Sequence, residues 1–398
     1  MLTLDKIYHA NYVLKSVVRK TDLILAPNIN PQSEIYLKTE NLQITGSFKV
    51  RGAYYKISQL CDEERKKGVI ACSAGNHAQG VALAASHYGI KSLICMPDGA
   101  PISKVEATKK YGAEVCLVEG VYDNAYQRAL EIQQEKGMTF IHPFDDEAVI
   151  AGQGTIALEI LEQLPDLDAV IVPIGGGGLI SGMAFTIKAL KPDCKVYGVQ
   201  SCGAASMFNS VTSKKIETLP KVKTIADGIA VKTPGEMTFD LCCQYVDEVV
   251  TVTDDEISTA ILTLIERQKL IAEGAGAVAV AAALFNKLPI QGKKVVCLVS
   301  GGNIDVTILS RVINRGLQKA GRSADLVLEL ADKPGQLREV SKLIAELGAN
   351  VISVFHDRSD QNIDINSCFL RIGLETRDQQ HVDEIKAALT RAKYKIVN

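Results

Sequence analysis

The sequence predicts an α/β protein with parallel sheets, followed by a smaller C-terminal α/β unit. Short runs of β-branched and apolar residues alternate with stretches of helical periodicity through most of the chain. From about residue 325 the order of the elements changes to βαββαβ, the ferredoxin-like arrangement. Because alternating strands and helices form parallel sheets, we expect ligands to bind at the carboxyl ends of the strands.

The individual elements follow from these patterns in chain order. The N-terminal segment mixes charged and apolar residues, which is typical of an amphipathic helix and not of a signal peptide. Strands of the first region are predicted at residues 35–39, 69–73, 92–96, 114–118, 169–174, 196–200, 249–252 and 295–300. Its helices are predicted at residues 50–60, 76–88, 103–111, 122–136, 148–164, 254–268 and 274–287. The C-terminal unit is predicted as strand 326–330, helix 335–347, strands 349–356 and 367–374, helix 379–392 and strand 394–397.

Composition argues against nucleic acid and membranes as partners. The chain has 44 basic and 46 acidic side chains and a net charge of -2, so it has no global attraction to phosphate backbones or anionic lipids. The longest uncharged run, residues 169–187, contains Pro173 and five glycines, which interrupt a spanning helix. The ten cysteines include no CxxC pair, and most lie in apolar runs, which indicates buried thiols in a cytoplasmic protein.

Lys49 is the candidate for covalent chemistry. It follows a Gly-Ser turn in the segment TGSFKVRG and starts a helical pattern. The positive end of a helix dipole disfavours the ammonium form, and the adjacent Phe48 excludes water. Both effects favour the neutral amine that forms a Schiff base. A solvated lysine in the first turn of a helix is the structural alternative.

A candidate carboxylate site joins a predicted strand to a helix. It consists of Ser73, Ala74, Gly75, Asn76 and His77. Main-chain N–H groups and two polar side chains converge there, as in an anion-binding nest. An ordinary helix cap is the alternative. His77 is interpreted as packing or hydrogen-bonding support and not as a base or metal ligand.

Four glycines form a candidate phosphate site. Gly175, Gly176, Gly177 and Gly178 follow an apolar strand and precede Leu179 in a predicted helix, so that main-chain amides can approach a phosphate. A dinucleotide motif would need glycine where Ile180 stands and an acid where Gln200 stands. The phosphate therefore belongs to a smaller molecule, unless the glycines only form a tight turn.

A third strand end carries Ser300, whose hydroxyl can hydrogen-bond a ring nitrogen. Taken together, a Schiff-base lysine, a phosphate site, a carboxylate nest and this hydroxyl are what pyridoxal phosphate and a bound amino acid need. The sequence therefore predicts pyridoxal phosphate as the cofactor.

Six segments in order resemble the serine/threonine dehydratase group of pyridoxal-phosphate enzymes, which has fold type II, the tryptophan synthase β-like fold. They are KTENLQITGSFKVRGA, ACSAGNHAQGVA, PIGGGGLISG, IADGIAVKTPG, IAEGAGA and LVSGGNID. The segment ADKPGQLREVSKLIAELGANVISVFHDR resembles an ACT regulatory domain. The resemblance implies a catalytic region at 1–320, with a smaller subdomain of about 47–145 inserted in a larger one, and an ACT domain at 325–398.

The same resemblance implies conversion of L-threonine to 2-oxobutanoate and ammonia, and of L-serine to pyruvate. Lys49 would carry the cofactor and take the α proton, and Phe48 would pack on the cofactor ring. The remaining implied cofactor contacts are Asn76, Gly175–Gly178, Leu179 and Ser300. The implied substrate contacts are Ser73, Ala74, Gly75, Asn76 and His77, and Glu273 would lie near the substrate.

Serine racemase resembles the chain through the same motifs, and two positions argue against it. The racemases have a second base, a serine immediately before Gly-Asn-His, where this chain has Ala74. Their divalent-metal site corresponds here to Gln200, Ala204 and Ser206, which lack the carboxylates that a hard cation needs. We therefore expect no metal.

The tail is expected to sense an amino acid, with isoleucine as the first candidate effector and valine as the second. The resemblance implies that the effector binds between two copies of the ACT domain, so we expect a homo-oligomer, a dimer or a tetramer. The implied residues are Gly335, Gln336 and Leu337 in one copy and Asn350, Val351 and Ile352 in the other. A purely structural or oligomerisation role is the alternative.

Three other functions compete with the dehydratase hypothesis. A racemase or another β-eliminating amino-acid lyase could use the same scaffold, and a nonenzymatic amino-acid sensor could use the tail alone. A dinucleotide oxidoreductase is disfavoured by Ile180 and Gln200.

Overall fold

The structure is a computed structural model, and it describes residues 1–358 and 364–397. The chain folds as two compact units, Met1–Val306 and Thr307–Asn398. In the part of the chain that is described, no helix has the length and apolar character needed to cross a bilayer.

The first unit alternates strands and helices along the chain. Its strands are β1 (Leu23–Leu25), β2 (Glu34–Lys38), β3 (Val69–Cys72), β4 (Ser92–Pro97), β5 (Glu114–Val118), β6 (Thr139–Phe140), β7 (Ala169–Pro173), β8 (Lys195–Ser201), β9 (Glu248–Val252) and β10 (Lys294–Leu298). Its helices are α1 (Leu4–Leu14), α2 (Lys49–Ser58), α3 (Asp62–Lys67), α4 (Asn76–His87), α5 (Ile102–Lys110), α6 (Tyr122–Lys136), α7 (Glu147–Gln163), α8 (Gly178–Leu190), α9 (Ser206–Ser213), α10 (Glu236–Tyr245), α11 (Asp254–Thr263) and α12 (Gly274–Leu284).

Two sheets organise this unit. One has the strand order β1-β2-β10-β7-β8-β9, in which only the β1/β2 pair is antiparallel. The other has the order β5-β4-β3-β6 and is parallel throughout, and its strands lie between β2 and β7 in the sequence. The prediction of an α/β fold with parallel sheets is confirmed.

Burial explains why these strands and helices form. The strands β3 and β7 are buried along their whole lengths, as expected for parallel strands covered on both faces. The helix α12 consists of glycine, alanine, valine and one leucine and is buried on all sides except at its last residue. Small side chains let it pack closely against the first sheet.

The carboxyl ends of three parallel strands lead into the candidate site residues. The loop after β3 carries Ser73 and enters α4, the loop after β7 carries the four glycines and enters α8, and the chain beyond β10 carries Ser300. This is the edge at which ligands bind in open α/β sheets.

The second unit is a four-stranded antiparallel sheet with two helices. It follows α13 (Val306–Lys319) and contains β11 (Ser323–Ala331), α14 (Gln336–Glu346), β12 (Asn350–Asp357), β13 (Ser367–Glu375), α15 (Gln379–Arg391) and β14 (Lys395–Ile396). The strand order is β12-β13-β11-β14. Its core includes alternate residues of β11, namely Leu326, Leu328 and Leu330, with residues of α14 and α15 packed on them. The βαββαβ order matches the prediction.

Several elements were not predicted, and some of them lack a pattern that can be detected locally. The strands β1 and β6 are three and two residues long. The helix α3, with sequence DEERKK, buries none of its residues, so it shows no apolar periodicity. The predicted helix 254–268 is an α-helix only to Thr263 and continues as a π-helical segment, Leu264–Gln268.

Candidate active site

Lys49 lies at the start of α2, beside the chain that continues from β10. Ser47 forms an isolated antiparallel bridge with Gly301. The N–H of Phe48 donates to the carbonyl of Ser300 at 3.1 Å. These main-chain contacts hold the lysine close to the end of β10, although the two segments are far apart in the sequence.

The Lys49 amine occupies a partly buried position. Its Nζ donates to the carbonyl of Pro143 at 2.9 Å and lies 5.3 Å from the centre of the Phe48 ring. Burial lowers the pKa of Lys49 to about 8, and the Glu273 carboxylate acts in the opposite direction. About a tenth of the amine is then neutral at pH 7, roughly 300-fold more than at its ordinary pKa. A nucleophilic amine needs this neutral form.

Asn76, the first residue of α4, is held by two side chains from other segments. Its Nδ2 donates to Glu273 Oε1 at 2.6 Å, and its Oδ1 accepts from Asn303 Nδ2 at 2.8 Å. Asn303 Nδ2 also donates to the carbonyl of Thr45 at 2.8 Å. These bonds fix the orientation of the Asn76 amide and leave its second hydrogen available for a bound group.

Glu273 is a buried carboxyl at the start of α12, and 4% of its surface is exposed. Burial raises its pKa to about 7 and the nearby Asp227 adds to the rise, whereas the hydrogen bond from Asn76 and the charge of Lys49 oppose it. A Cβ at position 301 would lie 2.4 Å from Glu273 Oε1, so any larger residue there would displace the carboxyl. The site therefore holds a carboxyl that can carry a proton at neutral pH.

The nest after β3 is open on the side where a ligand would bind. Ser73 Oγ accepts from the N–H of Gly75 at 3.2 Å. A Cβ built on Gly75 meets no atom within 4 Å, so the surrounding space is not filled by protein. Because the first N–H groups of a helix have no intrahelical acceptor, the start of α4 can bind a carboxylate at this point.

His77 belongs to the support of the nest. The residue is 3% exposed, and its Nε2 lies 2.8 Å from the carbonyl of Ile141. Burial and the nearby Lys49 charge lower the pKa of His77 to about 3. The imidazole is therefore neutral and holds the first turn of α4 against the strand region that contains Ile141.

Protein neighbours leave little room for side chains at the four glycines after β7. A Cβ on Gly176 would lie 2.4 Å from the Phe144 ring, and one on Gly177 would lie 2.7 Å from Thr238 Cβ. Gly177 also has a φ of +101°, which side-chain-bearing residues rarely adopt. Tight packing is compatible with a phosphate site, because the same turn starts α8, whose first N–H groups have no intrahelical acceptor.

A buried network of charges holds α2 in place. The Arg51 guanidinium makes a bidentate contact with Glu40 at 2.7 and 2.9 Å and donates to Glu159 at 2.7 Å. Lys38 Nζ donates to the other oxygen of Glu159 at 2.6 Å. Arg51, Glu40 and Lys38 are completely buried. Since Arg51 is two residues after Lys49, this network fixes the helix that carries the amine.

The positions that correspond to the racemase metal site have protein partners. Gln200 Nε2 donates to the carbonyl of Ile174 at 3.3 Å, and its Oε1 accepts from the N–H of Phe208 at 2.8 Å. Ser206 Oγ donates to the carbonyl of Val231 at 2.8 Å. None of these residues is a carboxylate, so this position lacks the ligands that a hard cation needs.

Comparison with known proteins identifies the family. Residues 14–301 match the model of the family described as pyridoxal-phosphate dependent enzyme. The chain belongs to this family. It is therefore an enzyme that uses pyridoxal phosphate, as the sequence predicted.

Individual members of the pyridoxal-phosphate family are similar to the chain. An L-threonine ammonia-lyase from Thermotoga maritima is 52% identical over 398 residues, which cover 100% of this chain and 99% of that protein. The L-threonine dehydratase catabolic TdcB of Escherichia coli K12 is 47% identical over 315 residues, covering 78% of this chain and 96% of that protein. The structure of maize serine racemase has a TM-score of 0.75 and 37% identity, covering 80% of this chain and 98% of that one.

The residues around Lys49 fit pyridoxal phosphate, as family membership requires. The amine has a lowered pKa, and the start of α8 offers N–H groups for a phosphate. Ser300 is buried, and its Oγ donates to the carbonyl of Ala275 at 3.3 Å. A serine hydroxyl there can hydrogen-bond a ring nitrogen without the negative charge of a carboxylate.

Sequence reasoning did not assign a role to several residues that shape the site. Asn303 lies within the segment LVSGGNID, so a signal for it was present. Pro143 contributes a carbonyl, Phe144 a ring and Thr238 a hydroxyl that donates to the carbonyl of Gly176 at 2.6 Å. No local pattern marks these three residues, because each acts only where the chain folds back onto the site.

Proposed function

We propose that the protein is an L-threonine ammonia-lyase that forms 2-oxobutanoate and ammonia and also converts L-serine to pyruvate. The observation that carries the substrate assignment is the full-length relationship to the Thermotoga enzyme. Water leaves when the β-hydroxyl is eliminated and returns when the product hydrolyses, so threonine yields one 2-oxo acid and one ammonia.

The geometry supports a division of labour among the residues of the chain. Pyridoxal phosphate, when bound, supplies an electron sink for the negative charge that develops at the substrate Cα. The start of α4 binds the substrate carboxylate through its N–H groups. Lys49 Nζ, whose pKa is lowered, takes the α proton. The Asn303–Asn76–Glu273 hydrogen bonds orient the Asn76 amide, which would help to hold the cofactor.

Ala74 supports a lyase over a racemase. A racemase must deliver a proton to the opposite face of the Cα, and an alanine methyl group cannot carry one. We expect L-serine to yield pyruvate with no accumulation of D-serine. Chiral analysis of residual serine during turnover measures this, and accumulation of D-serine would favour the racemase hypothesis.

The test of the proposed function combines turnover with chemical labelling. Purified wild-type protein should release 2-oxobutanoate from L-threonine, and borohydride should leave a pyridoxyl group on Lys49. Lys49→Ala should lose at least about 1,000-fold in turnover, because both the covalent link and the proton acceptor are removed.

Lys56→Ala is the matched control for Lys49→Ala. Lys56 lies on the same helix α2, where it pairs with Asp146 at 2.7 Å. We expect this variant to keep turnover and labelling near wild-type levels. Turnover unaffected by Lys49→Ala, or a label on another lysine, would contradict the proposal.

We further propose that residues 1–320 form the catalytic region, with a smaller subdomain of about 47–145, and that residues 325–398 form an ACT domain that senses isoleucine or valine. Gly335 immediately precedes α14 with a φ of +93°, and Leu337 in its first turn is 43% exposed. On the edge strand β12, Ile352 is 62% exposed.

We propose that the protein is a homo-oligomer, a dimer or tetramer, in the cytoplasm. The strand β12 has one unpaired edge and exposed apolar side chains, including Phe355 at 62%, and such an edge can pair with a second copy. All ten cysteines are free thiols, as is usual in a reducing compartment.

A further inference from the structure

Three side chains with metal-binding chemistry meet at one end of the antiparallel sheet in the second unit. They are Asp332, His356 and Cys368, and their ligand atoms all lie within 4.8 Å of one another. We propose that they form a site for a single Zn²⁺ ion. This site is independent of the proposed catalytic function.

Strand register brings the three residues to one face of the sheet. Cys368 pairs with Leu330 across the β11/β13 ladder, and Asp332 lies two residues beyond Leu330. His356 pairs with Leu370, which is two residues from Cys368 on β13. Because side chains two residues apart on a strand share a face, all three donors point to the same side of the sheet.

The donor set matches Zn²⁺ better than other common cations. A thiolate, an imidazole and a carboxylate are its usual ligands, whereas Mg²⁺ and Ca²⁺ prefer oxygen alone. His356 Nε2 lies 2.8 Å from Cys368 Sγ. Tetrahedral coordination at about 2.0 Å to nitrogen and about 2.3 Å to sulfur separates these atoms by about 3.5 Å. For this pair the separation has to grow by only about 0.7 Å, and the ligand atoms of all three residues already lie within 4.8 Å of one another.

The contacts already present do not block the ion. Arg358 donates to Asp332 Oδ1 at 3.0 Å, which leaves Oδ2 as a metal ligand. The Arg358 side chain is 65% exposed, so this ion pair is weak in water. Three protein ligands leave the fourth tetrahedral position to water or to a small ligand.

The sequence-based expectation of no metal came from Gln200, Ala204 and Ser206, which lack the carboxylates of the racemase site. It did not address Asp332, His356 and Cys368, which form no sequence motif. Asp332 follows β11, His356 lies near the end of β12 and Cys368 near the start of β13. Helical or loop zinc motifs place two ligands a few residues apart. Here each ligand lies in, or immediately after, a different strand, so only the sheet register reveals the cluster.

The test measures Zn²⁺ bound to the untagged, full-length holoenzyme. The protein is stripped with a chelator, exchanged into buffer free of amino acids and titrated with Zn²⁺ against a chromophoric chelator. We expect one tight site per chain. The affinity for Zn²⁺ should fall at least about 10-fold in each of the variants Asp332→Asn, His356→Ala and Cys368→Ser. Loss of a residue that only supports a metal ligand already lowers affinity by about this factor.

Two further measurements separate the site from general metal binding. Cys202→Ser removes an exposed thiol of the first unit and should bind Zn²⁺ like wild type. Co²⁺ should produce the visible ligand-field absorption of a tetrahedral thiolate site, at longer wavelength than the cofactor absorbs, and Cys368→Ser should abolish it. Asp332→Asn changes a partly exposed side chain, and its circular dichroism should match wild type.

Two results would overturn the proposal. One is a wild-type protein that binds no Zn²⁺ in competition with the chelator. The other is retention of wild-type affinity by the three ligand variants, which would place the bound metal elsewhere.

Discussion

At the scale of single residues, Lys49 and Glu273 have pKa values that converge toward neutrality. Burial lowers the pKa of Lys49 to about 8 and raises that of Glu273 to about 7. Groups with such values exchange protons readily near pH 7, which is why they concentrate in active sites. Sequence reasoning explained the lysine by the helix dipole and Phe48, whereas in the structure burial is the largest cause.

Glu273→Gln should change stability in a pH-dependent way. Between pH 4.5, the ordinary pKa, and about 7 the folded chain holds a proton that the unfolded chain releases. Stability therefore falls as the pH rises through this interval. The variant keeps the size of the side chain and removes the buried charge. Above pH 7 we expect the free energy of unfolding of the variant to exceed that of wild type by as much as roughly 3 kcal/mol. At about pH 4 the two free energies should be equal. Urea unfolding at several pH values measures the difference.

Glu256→Gln is a control in which the same substitution should have the opposite sign. Burial raises the pKa of Glu256, but the hydrogen bond from Lys287 and further contacts outweigh it, so the net direction is down. The free energy of unfolding of this variant should fall by no more than about 1 kcal/mol near neutral pH, because the Glu256–Lys287 pair is partly exposed. If Glu273→Gln also destabilised the protein at about pH 8, the Glu273 carboxylate would be favourably paired in the folded state.

At the scale of elements, α2 depends on charges that it buries. Arg51 enters the interior with its guanidinium, and Glu40 and Glu159 neutralise it there. Burial opposes ionisation of Glu40, but the Arg51 guanidinium holds the pKa of Glu40 below its usual value. The network therefore fixes the position of α2, and it also fixes the position of Lys49, the first residue of this helix.

Arg51→Met should destabilise the protein by roughly 3–5 kcal/mol, because Glu40 would remain buried without its cation. Cofactor release should accelerate in the same variant, since Lys49 loses its fixed position. Urea unfolding and the decay of cofactor absorbance on dilution measure the two effects.

Arg128→Ala is the matched control for Arg51→Met. Arg128 pairs with Glu131 at 2.9 Å on the exposed surface of α6, so its loss should change the free energy of unfolding far less than loss of Arg51 does. If the two arginine variants lost equal free energy of unfolding, the buried network would contribute no more to stability than a surface ion pair.

At the scale of the whole molecule, the chain combines two units that each have a core. The second unit packs β11 and β13 against α14 and α15 around its own apolar cluster. The Escherichia coli relative matches over 96% of its own length but over only 78% of this chain, so a dehydratase does not need the full length found here. Catalysis and the proposed effector response are therefore expected to be separable.

A chain shortened to residues 1–320 should retain threonine turnover and lose its response to isoleucine and valine. The reason is that the proposed effector residues all lie in the removed segment. Release of 2-oxobutanoate with and without each amino acid, from full-length and shortened protein, measures the response. A shortened chain that is still inhibited would place the effector site within residues 1–320.

The sequence by itself determined the alternation of strands and helices, the position of Lys49 at a helix start and the glycine turn before α8. These features depend on periodicity and main-chain conformation over a few residues, which local sequence encodes. The tertiary structure alone decided the raised pKa of Glu273, the support of Asn76 by Asn303, the burial of Arg51 and the cluster around Cys368. Each of these depends on side chains from distant segments that share one volume, where burial and proximity set the energy.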